Sequence, residues 1–123
     1  MRIINVVKAF PAVQELTKRE FPFAAAYALN KLFKRMQEDA SFYATNELKI
    51  VSKYAVLEDG KIKFNEDGRF SFADPQAMDG YLKDIKELSD IEVSYEPLTI
   101  PAPDSISPET LNLIEGFIEF KEE

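Results

Sequence analysis

The chain reads as an α+β domain. A stretch from Ala24 to Tyr54 lacks Gly and Pro and carries apolar residues at steps of three and four. Two acidic Asp-Gly turns then set off alternating residues, and two proline-started amphipathic segments follow. The expected architecture is an N-terminal helix pair, with one long helix packed on a small, mostly antiparallel sheet, plus two shorter helices. With 123 residues, of which 46% are hydrophobic, a single domain spanning 1–123 can bury enough surface to fold without a metal or disulfide.

The first helix is expected to start near Phe10, with Phe10, Val13 and Leu16 on one side, because Pro11 fits a helix most easily in its first turn. Pro22 separates it from the second, since the residue before a proline is pushed toward extended backbone. The long helix from Ala24 to Tyr54 presents Leu29, Leu32, Phe33, Met36, Ala40, Tyr43, Ile50, Val51 and Tyr54 as its apolar side, with Glu47 interrupting the line. A helix of that length spans ~45 Å, whereas a compact domain of this size is ~35 Å across. The helix should therefore overhang, and the apolar positions Met36, Tyr43, Ile50 and Tyr54 are candidates for contact with a second copy of the chain, the chain's own C-terminal half being the other source of cover.

Glu58-Asp59-Gly60 and Asn65-Glu66-Asp67-Gly68 read as hairpin turns, because Gly accepts positive φ without penalty. They imply a three-stranded meander that buries Ile62, Phe64, Phe70 and Phe72. Asp74-Pro75 is a cap followed by proline at the first helical position, opening a helix to about Leu88 with Met78, Tyr81, Leu82, Ile85 and Leu88 inward. Ile91, Val93 and Tyr95 alternate with polar residues as a strand that Pro97 confines to an edge or ends. Ser107-Pro108-Glu109 repeats the cap and proline before a closing helix through Thr110, Leu111, Ile114, Phe117 and Ile118, and the acidic tail from Glu119 to Glu123 is expected to fray.

Composition excludes several chemistries. There is no Cys and no His, which removes disulfides, thiolate nucleophiles, His/Cys zinc sites and Ser-His-Asp triads. The two acidic turns offer oxygen ligands but lack the alternating ligand spacing of a calcium-binding loop. The four glycines form no phosphate-binding pattern. No catalytic residue, metal site or cofactor site is expected. Met1-Arg2 leads only into a short apolar run that Lys8 ends, and no segment approaches the roughly 20 apolar residues of a membrane span. The expectation is a cytoplasmic protein with no membrane partner.

The net charge of −7 is unevenly divided. Residues 1–54, the helical half, carry +4, while the α+β half at 55–123 carries −11. Opposed halves suit internal matching, head-to-tail assembly or two partner surfaces. Lys18, Arg19, Lys31, Lys34 and Arg35 form a basic group, but no aromatic residue interleaves with it for base stacking, and nucleic acid is not an expected partner. Asp84, Glu87, Asp90, Glu92 and Glu96 are a candidate acidic partner surface. It is the basis of an alternative reading, in which the protein imitates nucleic acid and inhibits a host nucleic-acid-binding or defence protein.

Pro11-Ala12-Val13-Gln14-Glu15-Leu16 is followed by Phe21-Pro22-Phe23-Ala24-Ala25-Ala26-Tyr27-Ala28-Leu29-Asn30-Lys31-Leu32 at the head of the long helix. Glu58-Asp59-Gly60, the strand from Ile91-Glu92-Val93 to Pro97-Leu98, Ser107-Pro108-Glu109 and Leu113-Ile114-Glu115 come next. In this order the chain resembles a group of small uncharacterised proteins of tailed phages and prophages of Gram-positive bacteria. It departs from them in a hairpin lengthened by Lys61 to Phe72. The resemblance implies phage context and a non-enzymatic accessory role, with no catalytic residues to carry over. The combined expectation is a non-enzymatic accessory protein that acts through protein–protein contact, a homo-oligomer built through its long helix, with a host or virion protein as a further possible partner.

Overall fold

The computed structural model describes residues 1–121. It is α+β, with an N-terminal helix pair and one long helix, as the residue pattern predicts. Helix α1 (Ile3–Thr17) and helix α2 (Phe23–Tyr54) are joined by a short turn. Strands β1 (Leu57–Glu58) and β2 (Lys61–Ile62) form an antiparallel hairpin. Helix α3 (Pro75–Ser89) follows, then strand β3 (Leu98–Pro101), helix α4 (Pro108–Ile114) and strand β4 (Ile118–Lys121), which pairs with β3 in parallel.

Helix α1 begins seven residues before the expected start and holds Pro11 in its interior. Its first residues are pinned from outside, since the Ile3 N–H donates to the Ile91 carbonyl and the Val93 N–H to the Met1 carbonyl, both at 2.8 Å. Val6, Ala9, Val13 and Leu16 are fully buried along one side while Pro11 faces solvent. Packing on that side outweighs the hydrogen bond the proline cannot donate.

Helix α2 is unbroken over 32 residues, about 48 Å. Its inward line of Leu29, Met36 and Tyr43 meets α1 first. Phe10 stacks on Phe33 with ring centroids 5.2 Å apart, and Ile3 reaches Tyr43. Beyond Tyr43 the cover is α3, whose Ser89 lies 3.3 Å from the Tyr43 hydroxyl and whose Asp84 accepts from the Tyr54 hydroxyl at 2.7 Å. Helices α1 and α3 thus lie end to end, both antiparallel to α2, and together span its length. The overhang is covered by the chain's own C-terminal half.

The principal core lies between α1, the first half of α2, β3, α4 and β4, around Leu16, Leu29, Met36, Ile100, Ile114 and Phe117. A smaller cluster of Ile3, Tyr43 and Leu88 sits where α1 meets α3. No helix among the described residues is long and apolar enough to cross a membrane.

Several local expectations are corrected. The meander has regular pairing only in β1–β2; its third limb is held by single bridges, Ala55 to Phe72 and Phe64 to Phe70. Phe70 and Phe72 pack on Tyr81, but Phe64 is 60% exposed, because no helix lies over that end of the hairpin. Met78 and Leu82 of α3 are about half exposed, since α3 has neighbours on one side only, where Leu88 is buried. Residues 91–95 form no strand and bridge once to the N-terminus, Arg2 to Glu92. Gly116, at φ 89°, stops α4 soon after Ile114, so Phe117 and Ile118 leave the helix and Ile118 opens β4. The tail therefore pairs with β3 through Lys121; Glu122 and Glu123 lie outside the described residues.

Candidate interaction surface

The inner stripe of the long helix is occupied within one chain. Met36 is fully buried in the principal core and Tyr43 in the smaller cluster, against which Ile50 packs. Tyr54 is held by its hydroxyl on Asp84 and by close approach of Gly80. Met36 and Tyr43 are core and offer no surface to a second copy, while Ile50 and Tyr54 are half-buried. The correction follows from the path of α3, which doubles back along α2.

The acidic candidates are divided. Asp84 accepts from Tyr54 and lies 3.7 Å from Lys53; Asp90 pairs with Arg2 at 3.0 Å; Glu92 pairs with the terminal amine at 3.2 Å. Only Glu87 and Glu96 stand exposed without such a partner among the described residues. Three pairs therefore join the basic half to the acidic half. Each stabilises the fold by little, but each offsets an anion in the outward field. Around Lys53 the hydrogen bond and charge of Tyr54, then the charge of Asp84, hold the ammonium pKa above its ordinary value.

The basic residues are likewise placed unequally. Arg19 donates to the Ser105 carbonyl and Arg35 to the Ser94 carbonyl, so both clasp the connector segments of the acidic half. Arg35 also lies over the Tyr95 ring, 4.0 Å from its centroid, and Tyr95 donates its hydroxyl to Asp39. Burial, the Asp39 bond and the Asp39 charge all push the Tyr95 pKa up against the opposing pull of Arg35. A phenol held protonated in this way is a fastener between α2 and residues 94–95. Glu47, the acid that interrupts the stripe, is half-buried, and its negative charge adds to burial in raising the Tyr81 pKa. No group of three or more acidic side chains among the described residues is placed to hold a metal ion.

What remains open is the outer side of the first half of α2. Phe23 is 96% exposed and Tyr27, one turn on, 67% exposed. Lys31 lies over the Tyr27 ring at 5.5 Å, and Lys34 is one turn further, also exposed. At 100° per residue these four fall within roughly 80° of one another, opposite the buried Leu29–Met36–Tyr43 line. Next to this stripe, a groove of about 560 Å³ runs between Lys18–Pro22 and Pro101–Ser105. Aromatic and basic residues do adjoin, which corrects the sequence reading of the basic group. The missed signal was the four-residue step from Phe23 through Tyr27 to Lys31, a second face that the stronger inner periodicity hides.

No protein-family model, no curated protein and no solved structure matches this chain.

Proposed function

We propose that the protein is a non-enzymatic accessory protein that self-associates through its long helix, using the outer side of α2 in place of the inner stripe. The observation that carries this reading is Phe23, 96% exposed beside a 67% exposed Tyr27 on an unbroken helix. Two large aromatic side chains one turn apart form an apolar patch whose burial is favourable by about 1.5–3 kcal/mol per side chain. The lysines beyond them set a cationic edge that selects an anionic counterpart. The phage or prophage setting rests on the sequence resemblance and completes the proposal.

The test is light scattering over a wide concentration range. Wild-type protein should show a concentration-dependent rise in mass, and Phe23→Ser/Tyr27→Ser should remain monomeric with an unchanged circular dichroism spectrum. A monomeric wild type, or a double variant that associates as strongly as wild type, contradicts the proposal.

A further inference from the structure

We propose that the occupant of the α2 outer stripe is helix α4 from a second copy of the chain; this rests on the reading that α2 mediates self-association. The argument is complementarity of both charge and apolar surface. The stripe presents two exposed aromatics and then two lysines. From Ala102 to Phe120 the chain has four acids, Asp104, Glu109, Glu115 and Glu119, and no Lys or Arg. All four acids are exposed, and none joins an ion pair among the described residues. This segment therefore keeps its charge outward, unlike Asp84, Asp90 and Glu92.

The same segment carries apolar surface. Helix α4 buries Ile114 in the principal core and leaves Leu111 42% and Leu113 37% exposed. Leu113 lies within about 40° of Glu109 and Leu111 within about 40° of Glu115, on opposite flanks of the helix, so each flank offers one leucine and one acid to the aromatics and lysines of the stripe. The two faces lie on different elements of one molecule. A contact made once thus leaves a free stripe on one protomer and a free α4 on the other, and the assembly grows until rotation closes it.

Sedimentation velocity of charge-reversed full-length variants tests this. Lys31→Glu/Lys34→Glu and Glu109→Lys/Glu115→Lys should each weaken association by about tenfold or more, with unchanged circular dichroism. Mixing the two variants should restore association, because each reversed face then meets its opposite on the other protein. The neutral variant Glu109→Gln/Glu115→Gln should weaken association less and remove most of its salt dependence. If wild type and the α4 variants associate equally while the stripe variants do not, α2 has another occupant and this inference fails, leaving the self-association reading intact. Restoration absent on mixing also overturns it. A wild type that never associates overturns both.

Discussion

Tyr95 shows how a single side chain ties the two halves together. Its ring takes Arg35 on one face and packs edge-on against Phe117 at 5.3 Å, and its hydroxyl donates to Asp39. Because the folded state holds the phenol neutral, its pKa lies above the ordinary value of 10.0. In the unfolded chain the group ionises near that ordinary value. Its contribution to stability is therefore complete below pH about 10 and is lost as pH rises from there toward the folded value. Tyr95→Phe removes the hydrogen bond to Asp39 and should lower stability at neutral pH by about 1.5–3 kcal/mol. It should also flatten the loss of stability as pH rises above about 10, measured by urea unfolding of both proteins. Parallel alkaline losses in the two proteins would show that the Tyr95 phenol is not the group responsible.

Where elements meet, the approach of α3 to α2 depends on a missing side chain. A Cβ at Gly80 would lie 2.5 Å from Tyr54 Cε1 and 2.9 Å from Cζ, and the ring is anchored by its 2.7 Å bond to Asp84. Alanine in a helix is favoured over glycine by about 1 kcal/mol, whereas overpacking an interface costs about 1–3 kcal/mol. The clash should win, so Gly80→Ala is expected to destabilise by about 1 kcal/mol in chemical denaturation. A gain in stability would mean that α3 sits further from α2 than described. The elements whose ends carry local chemistry were legible in advance. Asp74 accepts from the Ala77 N–H and Ser107 from the Thr110 N–H, each just before a proline at the helix start. Others were not, because their limits come from tertiary contact. The first turns of α1 rest on residues 91–93, about ninety positions away, and β4 exists only because Gly116 turns Phe117 and Ile118 back onto β3.

Across the whole molecule, the amphipathic period of α2 announced a long helix with a covered side, but no local pattern told which part of the chain supplies the cover. The structure answers with α1 and α3 laid end to end, and so moves the available surface to the opposite side of the same helix. The charge split follows the same logic, since Met1, Arg2 and Lys53 meet acids of the second half. Lys31 and Lys34 on one side, and the α4 acids on another, stay unmatched among the described residues. Hydroxyl-radical footprinting across a concentration series reads these surfaces side chain by side chain. The account expects oxidation of Phe23 and Tyr27 to fall as concentration rises, while Met36 and Tyr43 stay protected throughout. Steady oxidation of Phe23 and Tyr27 at every concentration, or strong labelling of Met36 and Tyr43 in dilute protein that disappears on concentration, would contradict it.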